Sequence, residues 1–326
     1  VQAGYWKDSV TLFRRAVEVT TGNYIAHNNL GIVLGDRGDT EEAIVHFREA
    51  LRITHNVFPL AHYNLGNVLV ERGDPQQALV HFREAVRTDP NNSTMHYALG
   101  NTLVLLGDID AALQHFRTAV KLSPRNERAI NNLGGILETK GDLEGAARRY
   151  TEAIAINPGK PGARANLSRV LREIGDPALA SRCYGEVVQS APRDAGLRIE
   201  FGITLSRLGD LAGAARQLGE AVRLDPGDAR AHYNLALAFS KQGKLEEATK
   251  EYRASLTIDP ENHKARYNLA LARYGLGDFT GAIASFEEAM RREPGLEARA
   301  SYDIARAYSR EGKVEESVKW LKRGVD

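Results

Sequence analysis

Glycine recurs along this chain at intervals of 34 or 35 residues. The series is Gly38, Gly73, Gly107, Gly141, Gly175, Gly209, Gly243, Gly277 and Gly312. Alanine keeps the same period from Ala43 to Ala282, and an apolar residue does so from Leu30 to Ile304. A constant period of this length indicates an array of small units, each of which buries its apolar face against its neighbours.

Within one period the apolar residues have helical spacing twice. Ala61, Leu65 and Leu69 lie on one face of a helix before Gly73, and Ala78, Phe82 and Val86 lie on one face of a helix after it. Glycine suits the left-handed residue that ends the first helix. The residue after it is usually aspartate, which is a good N-cap for the second helix. Each period is therefore predicted to be a helical hairpin.

Composition limits the classes of protein to which the chain can belong. The 326 residues are 43% hydrophobic and 26% charged, which is typical of a soluble folded chain. No run of about 18 apolar residues occurs, so direct membrane insertion is not expected. The formal net charge of +1 gives no bulk electrostatic case for nucleic acid. The single cysteine, Cys183, excludes an internal disulfide and any multi-cysteine metal site. The chain starts at Val1 without a signal-peptide pattern, which suggests a segment of a longer protein.

The hairpins resemble the tetratricopeptide repeat, through segments such as Ala61-His62-Tyr63-Asn64-Leu65-Gly66 followed by Gly73-Asp74, Ala78 and Phe82. The resemblance implies an all-α fold, a right-handed α-solenoid of about nine helix-turn-helix repeats. We expect a single solenoid over residues 1–326, with an N-terminal half repeat at 4–22, eight full repeats at 24–297 and an atypical last repeat at 298–326. The predicted repeats open near Tyr24, Pro59, Thr94, Glu127, Pro161, Ala195, Ala229, His263 and Ala298.

Motifs that would indicate an enzyme are absent from the sequence. It has no phosphate-binding loop, no His-Glu-x-x-His and no Gly-x-Ser-x-Gly. Histidines recur at two positions of the repeat, but equivalent residues of neighbouring repeats are about 10 Å apart, too far to share one metal ion. We therefore expect no catalytic residues, no cofactor and no metal, and assign the histidines a packing role.

Asparagine recurs at the sixth position of the first helix, counted from the first residue of that helix. Asparagine is a middling helix former, so helix propensity does not explain its recurrence. In the tetratricopeptide family the first helices line the concave side of the superhelix, and this pattern is similar to the asparagine ladder in the repeat arm of O-linked N-acetylglucosamine transferases, which binds extended polypeptide. The alternative is that asparagine is simply the consensus residue of the repeat. The asparagine ladder consists of Asn29, Asn64, Asn132, Asn166, Asn234 and Asn268.

Basic residues are concentrated on the first helices of the later repeats. The first fourteen residues of repeats four to nine hold 15 Lys and Arg against 6 Asp and Glu, whereas repeats one to three are balanced. This asymmetry predicts a partner with acidic character, unless the charges merely solvate the helices. The basic residues predicted to face the groove are Arg128, Arg169, Arg172, Arg230, Lys264, Arg299 and Arg306.

The sequence thus predicts a protein–protein interaction module that binds an extended peptide along its first helices, with acidic peptides as the expected partners. Two alternatives stay open. Residues 5–13 and 23–31 resemble the junction before the soluble repeat tail of membrane glycosyltransferase-like proteins, so the chain could be an accessory or substrate-recognition arm. It could also be an assembly scaffold that self-associates through its end repeats.

Overall fold

The computed structural model describes residues 9–324 and, within that range, contains only helices and the turns between them. The chain divides into two compact units, residues 1–156 and 157–326. The helices of the first unit are α1 (Ser9–Val19), α2 (Tyr24–Arg37), α3 (Thr40–Ile53), α4 (Pro59–Glu71), α5 (Pro75–Thr88), α6 (Ser93–Leu105), α7 (Ile109–Leu122), α8 (Glu127–Thr139) and α9 (Leu143–Ile156).

The second unit continues the pattern of short helices of nearly equal length. A 3-10 turn, Pro294–Leu296, comes directly before the helix that begins at Glu297. Its helices are α10 (Pro161–Ile174), α11 (Pro177–Ser190), α12 (Ala195–Leu208), α13 (Leu211–Leu224), α14 (Ala229–Lys241), α15 (Leu245–Ile258), α16 (His263–Gly275), α17 (Phe279–Arg292), α18 (Glu297–Arg310) and α19 (Val314–Arg323). That both units form one array stays a prediction from the sequence.

Consecutive helices pack as hairpins, as the repeat predicts. In the first unit α2 packs on α3, α4 on α5, α6 on α7 and α8 on α9, and in the second unit the same holds from α12 to α19. Seven of the nine predicted first helices begin at the expected residue, whereas α6 begins at Ser93 and α18 at Glu297, one residue earlier than predicted. Of the predicted half repeat, α1 packs against α2, and its first residues, 4–8, lie outside the described range.

The turn chemistry is largely as predicted. All nine periodic glycines are left-handed, with φ between 76° and 90°. The Asp74 carboxylate accepts the backbone N–H of Gln77 at 3.1 Å, and five further aspartates cap their helices in the same way. The prediction is wrong for Asp39, whose side chain makes no cap bond. Glu42, in the first turn of the same helix, is bound through both carboxylate oxygens by Arg14 of α1.

In the four hairpins from α2 to α9, an aromatic ring of the second helix is pressed against a glycine of the first. In the second hairpin the fully buried Phe82 of α5 lies against Gly66 of α4, so closely that a Cβ atom built on Gly66 would lie 2.7 Å from the ring. The same contact joins Gly31 to Phe47 and Gly134 to Tyr150. Small residues at the crossing therefore let the two backbones approach, which fixes how the first helices are presented.

Two glycine-to-alanine substitutions are expected to change stability in opposite directions. Gly73 is left-handed (φ 86°), so Gly73→Ala should cost about 1 kcal/mol of unfolding free energy. Gly219 lies within α13 with no atom within 4 Å of its ideal Cβ position, so Gly219→Ala should stabilise by up to about 1 kcal/mol through helix propensity. Denaturant unfolding of both variants measures this, and equal signs would contradict the turn assignment.

Candidate peptide-binding surface

Cavities lie between the first helices of the first unit. One, of about 340 Å³, is lined from α2 by Ile32 and Asp36 and from α4 by Asn64, Asn67 and Glu71. Helical periodicity explains the shared lining, because residues 64, 67 and 71 lie three and four positions apart on one face of α4. A second cavity, of about 280 Å³, lies between α4 and α6 and shares Asn67 and Glu71. The face of the first helices is therefore concave between neighbours and polar at its rim.

The first two members of the asparagine ladder are joined through a buried amide that precedes them. Asn64 Nδ2 donates to Asn28 Oδ1 at 3.0 Å, and Asn28 Nδ2 lies 3.4 Å from Asn29 Oδ1. Asn28 is only 5% exposed, whereas Asn29 and Asn64 are half-buried. The ladder amides are thus held by a neighbouring repeat, a contact that the sequence analysis did not foresee.

Asn132 and Asn268 repeat this arrangement with tyrosine as the acceptor. Asn132 Nδ2 donates to Asn101 Oδ1 at 2.8 Å and lies 3.4 Å from the Tyr97 hydroxyl. In the second unit Asn268 Nδ2 donates to the Tyr233 hydroxyl at 3.2 Å. Each acceptor belongs to the first helix of the preceding repeat, so these amides join successive hairpins as well as facing the surface.

The remaining two ladder residues belong to the second unit. Asn234 Nδ2 donates to the carbonyl oxygen of Arg230 in its own helix at 2.8 Å. Asn166 lies half-buried on α10, between the exposed Ala165 and the buried Leu167. All six ladder residues are therefore partly accessible, and the amide nitrogens of Asn64, Asn132, Asn234 and Asn268 already donate to the protein.

The basic residues predicted to face the groove differ in what they contact. Arg230 pairs with Asp228 at 2.9 Å, and Arg306 pairs with Asp303 at 3.1 Å. Among the described residues, Arg128, Arg172 and Lys264 have no hydrogen bond or ion pair. The exposed ones are Arg128, Arg169, Arg230, Lys264, Arg299 and Arg306, whereas Arg172 is half-buried.

Aromatic rings accompany the basic residues of the last repeat. The Arg299 guanidinium lies 4.9 Å from the centre of the Tyr267 ring, and that of Arg306 lies 5.0 Å from the Tyr274 ring. Arg306, Tyr274 and Tyr302 line a cavity of about 310 Å³ between α16, α18 and α19. Burial raises the pKa of Tyr267 above its usual range. The hydrogen bond that its hydroxyl donates to Asp303 raises this pKa further. A cation over a ring can still bind an anion at its open edge.

Histidines of the first unit form three pairs that the sequence analysis missed. Each pair joins a first helix to the second helix of its own hairpin, 19 residues later, through the two Nδ1 atoms. The pairs are His27–His46 at 3.0 Å, His62–His81 at 3.1 Å and His96–His115 at 2.9 Å. The constant offset of 19 residues was visible in the sequence and could have indicated the pairing.

Each pair requires at least one neutral imidazole, and in a neutral pair the partners of the outer nitrogens fix which ring donates. His62 Nε2 lies 3.2 Å from the Asn56 carbonyl oxygen, which can only accept, so His62 Nδ1 must accept from His81 Nδ1. Burial lowers the pKa of His62. Burial, together with the neighbouring His62, lowers the pKa of His81 to about 4. Burial likewise lowers the pKa of His27, His46 and His115.

In the second unit, the two repeat positions that hold the histidine pairs of the first unit carry other hydrogen-bonded pairs. His232 Nδ1 lies 2.7 Å from a Glu251 carboxylate oxygen, and Arg198 donates to Gln217 at 3.0 Å. His232 Nε2 also donates to the Pro226 carbonyl oxygen at 3.1 Å. Within residues 9–324 no three His, Cys, Asp or Glu side chains are grouped to hold a metal ion.

Family models of the tetratricopeptide repeat match nearly the whole chain. They cover residues 24–91, 63–127, 97–161, 137–198, 199–263 and 267–326. The chain belongs to the tetratricopeptide repeat family. Tetratricopeptide repeat proteins are generally non-catalytic scaffolds that bind other proteins, so the prediction of a repeat module for protein binding is confirmed.

Solved structures resemble this tetratricopeptide repeat chain over part of its length. MamA is 26% identical over 49% of this chain and 92% of its own, with a TM-score of 0.46. The pilF protein of Pseudomonas aeruginosa is 23% identical over 64% of this chain and 94% of its own, with a TM-score of 0.46. YrrB, described as a TPR protein with an unusual peptide-binding site, is 22% identical over 56% of this chain and 95% of its own, with a TM-score of 0.40. No curated protein matches the chain. Across residues 9–324, none of the helices combines the length and the apolar character that a membrane span needs.

Proposed function

We propose that the first helices bind an extended polypeptide, with the asparagine ladder holding its backbone. The observation that carries the proposal is the recurrence of half-buried amides at the sixth position, beside polar-rimmed cavities between α2, α4 and α6. A primary amide has an acceptor and two donor hydrogens, so an amide that donates once to the protein still offers Oδ1 and a second N–H. Such a surface suits a peptide backbone of any sequence.

The basic side chains support a preference for acidic peptides. Arg128, Arg172 and Lys264 have no ion-pair partner among the described residues, and the Arg299 guanidinium lies over the Tyr267 ring instead of a carboxylate. Charge complementarity of this kind affects the association rate and the choice of partner more than the affinity. The accessory-arm interpretation and self-association through the end repeats stay predictions from the sequence.

Peptide binding is expected to depend on the ladder amides. The probe is a fluorescein-labelled 15-residue peptide of Ser, Ala and Glu in equal numbers, measured by fluorescence anisotropy. Replacing Asn64, Asn132, Asn234 and Asn268 together by alanine should weaken its binding at least tenfold, because each lost hydrogen bond contributes about 0.5–1.5 kcal/mol. The matched control is Asn91→Ala, in the exposed loop before α6.

Three results would contradict parts of this proposal. Failure of the wild-type chain to bind the peptide would overturn peptide binding, and equal binding by the fourfold variant would overturn the role of the ladder. The acidic preference predicts weaker binding when every Glu of the peptide is replaced by Gln, with the difference shrinking at high salt. A Gln peptide that binds equally well at low salt would contradict it.

A further inference from the structure

Hydrogen bonds link the fifth position of one repeat to the sixth position of the next. The fifth position immediately precedes the ladder position on each first helix. Asn28 is bonded to Asn64 in this way, Tyr97 to Asn132, Tyr233 to Asn268 and Tyr267 to Asp303. The four bonds share one register, a separation of 35 or 36 residues, and occur within both units. The link is therefore a property of the repeat and not of one location.

Repeats that lack a polar fifth residue behave differently at the next ladder position. Ile199 cannot accept a hydrogen bond, and the amide of the following Asn234 turns to its own helix at the Arg230 carbonyl oxygen. Ala165 precedes Glu200, and Glu200 Oε2 is buried without a hydrogen bond. The orientation of the sixth side chain thus follows the identity of the preceding fifth residue.

We infer that Asn28, Tyr97 and Tyr233 are positioning residues for the peptide-binding surface, each holding one N–H of the next ladder amide so that the rest of that amide faces the ligand. This inference rests on the proposed function. An amide has one Oδ1 and two N–H bonds, so Asn64 and Asn268, each held by one N–H, keep an acceptor and a donor side by side. That pair matches the C=O and N–H of an extended peptide backbone. Asn132 also donates to Asn101 Oδ1 and keeps its acceptor.

Fixing the amide before binding should raise affinity, because a free side chain loses rotamer entropy when it becomes ordered on a ligand. Ordering one such side chain corresponds to a change of about two- to tenfold in the dissociation constant. Tyr233 then contributes to affinity through Asn268, and Tyr97 through Asn132. Tyr97 also lines the cavity between α4 and α6.

The chain offers a matched control for this effect. Tyr63 occupies the same fifth position, but the next sixth residue is Ala98, which has no polar side chain. With the labelled Ser/Ala/Glu peptide, Tyr233→Phe is expected to weaken binding about two- to tenfold. Tyr97→Phe should also weaken binding, but less, because Asn101 Oδ1 still accepts from Asn132 at 2.8 Å. Tyr63→Phe removes an equivalent hydroxyl and should change affinity by less than twofold.

Two further variants separate positioning from loss of stability. Tyr97→Asn places at this position the side chain that Asn28 provides in the first repeat, and it should restore most of the affinity lost in Tyr97→Phe. In the Asn132→Ala background, Tyr97→Phe should have no further effect on peptide affinity, because the amide that it positions is gone. A general weakening of the fold would persist in that background.

The outcomes distinguish this inference from the function on which it rests. If the wild-type chain does not bind the peptide, the proposed function fails and the inference falls with it. If the wild type binds and Tyr97→Phe and Tyr233→Phe match Tyr63→Phe, the inference alone is overturned. The side-chain amide resonances of Asn132 and Asn268 give a readout without ligand, and they should shift in the Phe variants of Tyr97 and Tyr233 but not in that of Tyr63.

Discussion

Lowering the pH from 7.5 to 5.0 is expected to destabilise hairpins α2–α3, α4–α5 and α6–α7 selectively. Their histidine pairs tolerate at most one protonated ring, because two protonated imidazoles would place N–H against N–H. In the folded state burial lowers the pKa of His81 to about 4, whereas an unfolded histidine titrates near 6.5. The unfolded chain therefore binds more protons, so this stabilisation is complete above about pH 6.5 and is lost progressively as the pH falls toward 4.

The size of the acid effect is substantial even for one residue. At pH 5 the shift at His81 corresponds to about 2 kcal/mol, and the other pairs add to it. Neighbouring charges modify the effect in both directions, since acids favour the protonated ring and guanidinium groups oppose it. The groups that face the pairs are Glu42, Glu49 and Glu84, and Arg14, Arg48, Arg52, Arg83 and Arg87.

The α14–α15 hairpin, the seventh repeat, suggests how the acid sensitivity of a histidine pair could be removed. There Glu251 faces His232, and an imidazolium can donate from both nitrogens, to Glu251 and to the Pro226 carbonyl oxygen. His81→Glu copies this pair onto the second hairpin and should reduce its acid sensitivity. Hydrogen exchange of α2–α7 and of α14–α15 at both pH values measures the effect, and equal acceleration in both regions would contradict the prediction.

Phe82→Ala is expected to cost about 3–5 kcal/mol of unfolding free energy, the usual range for removing a buried phenylalanine. Phe82 is 1% exposed, its ring lies against Gly66, and it packs at a tilt on the Tyr63 ring with centroids 6.0 Å apart. Gly66 has no side chain that could move into the space that the ring leaves. The cavity should therefore persist and loosen the second hairpin.

The loss from Phe82→Ala should be local. In repeat proteins each unit contacts only its neighbours, so hydrogen exchange should accelerate most in α4 and α5. Phe82→Leu copies the Gly202–Leu218 contact of the sixth repeat and should cost less. Val80→Ala, on the same helix but 58% exposed, should stay within about 0.5 kcal/mol of wild type. A similar cost for Val80→Ala would argue against the packing described.

The features predicted correctly from the sequence are local ones. A left-handed Gly73 and a capping Asp74 depend on a few neighbouring residues, and helical periodicity alone places Asn64 on the face that carries the cavities. Asp39 departs from this pattern, and nearby Glu42 is bound by Arg14 of α1, 28 residues away in the sequence.

The contacts that sequence reasoning missed depend on how helices cross. The pairing of His62 with His81 requires the angle between two helices of a hairpin, and the bond between Tyr97 and Asn132 requires the step from one hairpin to the next. Neither quantity is encoded in a single segment. The sequence indicates these contacts only through a repeated spacing, which is 19 residues for the histidine pairs and 35 or 36 residues for the bonds between fifth and sixth positions.

The bond between the fifth and sixth positions changes where a repeat should be cut when hairpins are exchanged. A transplanted hairpin that carries Asn132 without Tyr97 brings the amide but leaves its anchor behind, and one placed behind Ile199 would let that amide turn back onto its own helix. The transferable module therefore extends across a hairpin boundary, and chimeric arrays should be spliced in the second helix, away from these linked positions.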